Sequence, residues 1–453
     1  MVTRGRHAPQ GLCGSARTTA AEPESTHVTF DTSGPGRQVF PPRAIGALYR
    51  TGFVALASIG LAFGVASTAQ AQVPIRIGAS LALSGAYATL GQNQQRGFQL
   101  CIKHANEKGG VLGRRLELVV EDDRSDPAAA VKIYESLIGE KHVDAVLGPY
   151  ASNITEAVAE VSEKYRKPML APNASTSAIF KKGRKYAFMV QSPAEAYLEG
   201  LIDLAAKRGL KTLAVIGEDT LFPRAAAQGA AELAKRRGFS VVLAESYAKG
   251  TTDFAALLTR VRAANPDVVA AATYFDDAVA ITRQMKTLNV NPRMFGVTVG
   301  GDSPKFYAAL GNTAEFVYGA TQWEPGLVSL RAGGLIPVAR QFPGAAEFVE
   351  AYHKEFPGAD LSYHSAGGYG ACEVLLEGIR QAKSLDGDRI RASILKLDTH
   401  TVFGPYRVDS GGFQTAHKAM MVQWQDGKKA IVWPEDLAPD KPRFPTPEWN
   451  KRP

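Results

Sequence analysis

Three cysteines in 453 residues are too few for a disulfide framework, so the fold must rest on buried apolar cores. The glycine-rich stretch Gly296-Val297-Thr298-Val299-Gly300-Gly301 lacks the following Lys-Ser/Thr that a P-loop needs to hold phosphates. No Gly-x-Gly-x-x-Gly follows the first strand-like run, and no Gly-x-Ser-x-Gly elbow presents a nucleophile. The eight histidines show no metal-ligand spacing; His353 and His364 stand apart, and His364 is expected to cap or pack near Ser365. These absences leave no catalytic constellation, and neither a cofactor nor a metal is expected. Charge of one sign is also missing as a block. The net charge is +8, interspersed along the chain with no long basic run, which excludes a nucleic-acid footprint.

What is present begins with a targeting pattern. Arg43 and Arg50 precede an apolar stretch from Gly52 to Val65, and Ala69-Gln70-Ala71 follows. This reads as a secretory signal peptide cleaved after Ala71, its apolar part too short for a membrane span. Residues 1–71 are therefore set aside as N-terminal extension and signal peptide, and an exported, periplasmic chain is expected. No cysteine follows the cleavage point directly, so a lipid anchor is unsupported. The exported part keeps Cys101 and Cys372, which an oxidising compartment would allow to bond; two small buried thiols are the alternative.

The mature chain alternates short apolar runs with helical patterns. Strands are expected at Ile75 to Leu81, Leu116 to Glu121, Ala145 to Leu147, Met169 to Ala171 and Tyr186 to Val190. Helices are expected between them, from Gln92 to Lys108, Pro127 to Glu140 and Asn153 to Tyr165. The alternation then restarts. Helices from Glu195, Arg224, Phe254 and Asp277 separate strands at Thr212 to Ile216, Ser240 to Glu245, Val268 to Ala272 and Met294 to Val297. Such βαβα order makes parallel sheets covered by helices, so the fold class is α/β with two doubly wound lobes. Further on, Phe348 to Phe356 and Gly368 to Lys383 read as helices. Thr415 to Trp424 and Lys429 to Trp433 read as a hairpin around Asp426-Gly427.

Two polar loops stand out against this background. Gly148-Pro149-Tyr150-Ala151-Ser152-Asn153 and Ala171-Pro172-Asn173-Ala174-Ser175-Thr176-Ser177 each follow a short strand and open a helix. Helix starts carry unpaired N–H groups and partial positive charge, which suits a carboxylate. Two hydroxyl-bearing starts on neighbouring strands form a clamp for a small acid. Taken singly, Ser152 or Asn153 with Glu156 also fits an ordinary capping box.

These loops carry a family resemblance, together with Ile75-Arg76-Ile77-Gly78, Leu83-Ser84-Gly85, Gly91, Asn106 to Gly113, Val119 to Pro127, Asp253-Phe254 with Leu257, Tyr274 and Phe403-Gly404. From about Val73 to Trp433 the chain resembles the type I periplasmic solute-binding proteins. More narrowly, it is similar to the leucine/isoleucine/valine-binding proteins of ABC importers. The resemblance implies a three-strand hinge joining lobe 1 (73–191 plus 322–404) to lobe 2 (192–321 plus 405–440), with 441–453 an irregular tail. It further implies that Tyr150, Ala151 and Ser152 meet a ligand carboxylate, with Ala174, Ser175 and Thr176 as the second loop. Tyr274 and Phe222 would be aromatics closing from lobe 2. Relatives that bind α-amino acids place a Glu where this chain has Thr298, and Asp302 stands four residues on as a substitute.

Other residues divide between site and scaffold. Tyr87 and Leu90 fit an apolar wall or a plain loop. Asp276 and Asp277 fit a negative site or the N-cap of the next helix, and Asp302 fits an ammonium partner or the cap of a short helix from Ser303. Trp323, beside Gln322, fits ligand packing or core packing. The expected function is a monomeric substrate-binding subunit that captures a small carboxylate, first an amino acid of branched-chain type, and presents it to a membrane permease. An aromatic or other non-amino carboxylate is the alternative ligand; a secreted α/β enzyme and a ligand sensor are the rival classes.

Overall fold

The computed structural model describes residues 72–328 and 340–452; the signal-peptide reading of residues 1–71 lies outside them. Nearly continuous apolar runs bounded by turn residues give strands β1 (Ile75–Leu81), β2 (Leu116–Asp122), β3 (Ala145–Leu147), β4 (Met169–Ala171) and β5 (Ala187–Met189). Helices α1 (Ala88–Glu107), α2 (Pro127–Gly139), α3 (Ser152–Lys164) and α4 (Ser177–Phe180) connect them. The strands form a parallel sheet in the order β2-β1-β3-β4-β5.

The pattern repeats with α5 (Glu199–Lys207), β6 (Thr212–Glu218), α6 (Leu221–Arg236), β7 (Ser240–Tyr247), α7 (Ala255–Ala264), β8 (Val268–Ala272), α8 (Phe275–Thr287), β9 (Met294–Val297), α9 (Pro304–Leu310) and β10 (Tyr318–Thr321). After residue 340 come α10 (Ala345–Glu355), α11 (Tyr363–Ala382), α12 (Gly387–Ile394), β11 (Asp398–Thr401), β12 (Gly404–Arg407), β13 (Met420–Gln425) and β14 (Lys428–Trp433). The second sheet runs β14-β13-β10-β9-β8-β6-β7, with the β10–β13 and β13–β14 pairings antiparallel and the rest parallel. In each sheet the first strand lies between the second and third, β1 in one and β6 in the other. That reversal opens a crevice at the carboxyl ends of the strands, where such sheets receive ligands.

Helix α11 returns to the first sheet and packs along α1. A Cβ on Gly97 would fall 2.1 Å from the Ser365 carbonyl, and one on Gly368 would fall 2.6 Å from that of Gln94, so only glycine permits this approach. One turn on along both helices, Cys101 and Cys372 form a disulfide.

Three segments pass between the sheets and are stitched to one another. Gln322 accepts from Ser192 N at 3.0 Å and Ser192 Oγ at 2.9 Å, while its carbonyl meets the His417 ring at 3.1 Å. Gln414 donates to the Val190 carbonyl at 2.9 Å. The third segment stays with the first sheet through Gly412, which accepts from Met189 N, and joins the second only at Met420. That crossing therefore lies beyond the 404/405 division read from the sequence.

Other sequence boundaries also move. Helix α1 starts four residues before Gln92, and the helix read from Glu195 breaks into a 3₁₀ turn, Ala194–Ala196, followed by α5. Helix α11 starts at Tyr363 and not Gly368, because its first two turns, though they carry Gly367, Gly368 and Gly370, are buried and held by packing rather than propensity. Among the described residues, the tail expected to be irregular has only the 3₁₀ turn Trp449–Lys451. It is nonetheless docked: Trp449 Nε1 donates to the Val290 carbonyl at 3.0 Å, and Arg452 lies 3.3 Å above the Trp449 ring. Among the described residues, no helix is long and apolar enough to cross a membrane.

Candidate functional site

The residues singled out from the sequence sit beyond the carboxyl ends of strands, Trp323 after β10 among them. Tyr150, Ala151 and Ser152 follow β3; Ala174, Ser175 and Thr176 follow the adjacent β4. Phe222 follows β6, Tyr274 follows β8, and Thr298 and Asp302 follow β9, three neighbouring strands of the second sheet. All are buried.

The two polar loops are joined directly. Ser152 Oγ accepts from Ser175 N at 3.2 Å and from Thr176 N at 3.4 Å. The capping-box reading is thereby corrected: the N-cap of α3 is Ala151, no side chain caps that end, and the Ser152 hydroxyl reaches across to the next loop. Ala151 adopts φ 74° and ψ 145°, a region costly for a residue with a Cβ, on the order of 1–3 kcal/mol. Such strain persists only where the surroundings over-determine it. Here they do: Tyr150 pairs with Asn173 across the loops, Asn173 Nδ2 donates to Gln94 Oε1 at 2.9 Å, and Gln94 Nε2 donates to the Gly148 carbonyl at 2.9 Å. The Ser175 and Thr176 hydroxyls, in contrast, are buried without a hydrogen-bond partner among the described residues.

Facing these loops, Thr298 and Asp302 differ. Thr298 Oγ1 accepts from Thr273 N at 2.7 Å and donates to the Thr273 carbonyl at 2.8 Å, so its hydroxyl is consumed in tying β8 to β9. Asp302 is 2 % exposed, and its Oδ1 has no partner among the described residues. It does not cap α9; Ser303 does, accepting from Lys305 N at 3.2 Å. Burial raises the Asp302 carboxyl to about 7, with Lys429 pulling it down and Glu324 pushing it up. Lys429 is itself engaged by Glu324 at 2.6 Å. The Asp302 charge also bears on the buried phenols of Tyr150, Tyr197 and Tyr363, which come from the first sheet, from the crossing and from α11.

Aromatic rings close around this space. Tyr87 lies 4.9 Å from Tyr274 and 5.8 Å from Tyr150, while Phe222 lies 4.9 Å from Tyr197 and 5.7 Å from Tyr274. Tyr150 also shares a hydrogen bond of 3.3 Å with His364, which stacks on Tyr363 at 3.9 Å and which burial lowers to about 3. The sequence reading places Gln322, with Trp323, at a hinge crossing beside the cleft; Tyr197 and Tyr363 were not singled out for this space. Their signal is tertiary, since each arrives on a segment distant in sequence from the loops it joins. Trp323 is not brought into this ring; it is fully buried against Phe348 of α10 at 5.8 Å, on the core side of the first sheet. Asp276 and Asp277 lie in the first turn of α8, whose N-cap is the Tyr274 backbone without a side-chain cap.

Residues 74–429 match the periplasmic binding protein family. The chain is 27% identical over 408 residues to a Leu/Ile/Val-binding protein homolog 7 of Brucella suis, covering 86% of this chain and 99% of that protein. It is similar at the same identity, over 406 residues, to homolog 8 of that organism. Its fold matches the branched-chain amino acid transporter substrate-binding protein LivJ of Streptococcus pneumoniae, solved in complex with isoleucine, with a TM-score of 0.69 and 22% identity over 80% of this chain and all of that one. A leucine-binding protein LivK of Thermotoga maritima superposes with a TM-score of 0.68 at 24% identity, over 79% of this chain and 97% of that one.

Proposed function

Because the chain belongs to the periplasmic binding protein family, we propose that it is the substrate-binding subunit of an ABC importer. It captures a small carboxylate, first an amino acid of branched-chain type, by closing two hinged lobes. The observation that carries this reading is the pairing of opposite chemistries in one buried space. The Ser175 and Thr176 hydroxyls, without partners among the described residues, stand on one lobe, and the Asp302 Oδ1, likewise without one, stands on the other. A zwitterion needs donors for its carboxylate and an acceptor for its ammonium, and a desolvated charge lacking either is heavily penalised. Ser152 holds the two loops in register, and Tyr87, Tyr150, Phe222 and Tyr274 enclose the side chain.

Closure is a shift between open and closed populations in which the solute binds the closed form better. Gln322, bonded to both other crossing segments, is the pivot of that motion. The closed pair of lobes presents one continuous face to a membrane permease, and the chain works as a monomer in the periplasm after cleavage behind Ala71. A second reading, a plain carboxylate without an α-ammonium, is favoured by one observation: the Thr298 hydroxyl, where the family resemblance implies an amino-binding Glu, is spent on Thr273.

A thermal-shift series of leucine, isoleucine and valine against the corresponding deaminated acids decides between these, because a ligand that binds only the folded state raises its stability by RT ln(1 + [L]/Kd). Stabilisation by the amino acids and not by the acids is expected. No shift with either class would overturn the proposal.

A further inference from the structure

The two polar loops are joined to each other by Ser152, and they are also held by two helices of the same lobe. Gln94, in the second turn of α1, is fully buried and spends both ends of one amide on the pair. Its Nε2 donates to the carbonyl of Gly148, which opens the first loop, at 2.9 Å, and its Oε1 accepts from Asn173 Nδ2 of the second loop at 2.9 Å. Asn173 Nδ2 also donates to the His364 carbonyl at 3.2 Å, in the first turn of α11. The His364 ring then returns to the first loop through the Tyr150 hydroxyl. We propose that Gln94 and Asn173 are positioning residues for the solute carboxylate: they fix the separation of the two loops so that the Ser175 and Thr176 hydroxyls meet one anion together. The inference rests on the carboxylate reading given above and adds what holds that seat in shape.

Three observations support it. An amide carries a donor and an acceptor on one planar group, so a glutamine at 94 can serve one loop with each; an ionised glutamate has no donor, and an apolar side chain has neither. The helices that carry the brace are themselves fixed close to it, since the Gln94 carbonyl lies where a Cβ on Gly368 would fall and the Ser365 carbonyl where one on Gly97 would fall. Asn173 is 6 % exposed, and its Oδ1 has no partner among the described residues. A side chain kept for packing alone gains nothing from a buried, unmet oxygen, which is costly. Asn173 is therefore oriented by its donor end, toward Gln94 and α11. The strained Ala151 lies between Tyr150 and Ser152, so slack in this brace would let the loop relax and draw the hydroxyls apart.

The test is calorimetric titration of the full chain with leucine and with leucinamide, which keeps the ammonium and the side chain and lacks the carboxylate. Gln94→Met, similar in volume but without the amide, should weaken leucine about 10-fold and leave leucinamide unchanged, the scale of one buried hydrogen-bonding group left unmet. Asn173→Ala should reproduce that split from the other loop. Combined with Ser152→Ala, Gln94→Met should cost far less than the product of the two single losses, because both act on the same spacing. If leucinamide binds too weakly to measure, this cycle with leucine alone decides. A glutamine of merely structural value would weaken both solutes alike, or give losses that multiply in the double variant; either result overturns the proposal and leaves the carboxylate reading standing. Failure of both single variants to fold also overturns it, because the amides would then belong to the core. Equal affinity of the unaltered chain for leucine and leucinamide, or binding of neither, would bring down the carboxylate reading as well.

Discussion

Ser152 and Ser175 are joined across two loops: the Ser152 hydroxyl accepts the Ser175 N–H at 3.2 Å. A single side-chain oxygen therefore sets the spacing between the loop after β3 and the loop after β4. On the proposed function, a ligand carboxylate would meet hydroxyls on loops already held in place, which lowers the ordering cost of binding.

Removing that oxygen should hurt binding without unfolding the chain. Ser152→Ala is expected to weaken solute affinity by about 1–2 kcal/mol, roughly 5- to 30-fold. Thr176→Ala should do the same through the loss of an unpartnered donor. Calorimetry reads the affinity and circular dichroism the fold; unchanged affinity in both variants would remove the clamp.

Asp302 should separate solutes by charge. Asp302→Asn is expected to cost an amino acid at least 10-fold in affinity and a plain carboxylate little, because only the former leaves a buried ammonium unpaired, a penalty of roughly 1–3 kcal/mol. Equal losses for both solutes would refute the assignment.

The same residue predicts a pH dependence. In the folded chain Asp302 keeps its proton up to about 7, against 3.8 for an ordinary carboxyl, with Lys429, Glu324 and the three phenols as the groups around it. The folded state thus binds more protons than the unfolded one between those values, so this residue makes the ligand-free protein less stable as pH rises through that window. Melting of Asp302→Asn should show this slope flattened. Amino-acid affinity runs the other way, weakening by up to roughly 10-fold per unit as pH falls below about 7 and the carboxylate is neutralised.

Thr298 should matter for stability and not for recognition. Thr298→Val leaves the Thr273 N–H without its partner, while the Thr273 carbonyl keeps the Val299 N–H at 3.3 Å; a buried unpaired group costs about 1–3 kcal/mol. Denaturant melts should show that loss, while the ratio of amino-acid to plain-acid affinity stays as it was.

Replacing Cys101 and Cys372 together by Ser should lower the denaturation midpoint, by an amount corresponding to about 2–5 kcal/mol, since the bridge closes a loop of sequence separation 271. Solute affinity should not follow, because the bond joins α1 to α11 away from the polar loops.

Local patterns determined a good deal of this protein. The strands at Val268–Ala272 and Met294–Val297 were legible to the residue, as was the alternation that builds two parallel sheets, because a strand buried on both faces must be apolar throughout and a covering helix must repeat every 3.6 residues. The polar loops after β3 and β4 were legible as short polar stretches between an apolar strand and a helical pattern. What the pattern did not decide was where each hydroxyl and carboxylate went. Ser152 fitted a clamp or a cap, and its hydroxyl bridges the two loops; Thr298 stood at a ligand position and closes on Thr273; Trp323 fitted ligand packing or core packing and packs against Phe348. The short β11–β12 hairpin and the start of α11 at Tyr363 were also invisible, being held by tertiary burial over weak local preference. Capping and periodicity act between neighbours in the chain. A side-chain hydrogen bond is made with whichever group the fold brings within about 3 Å, and only the assembled sheets and crossings select that group.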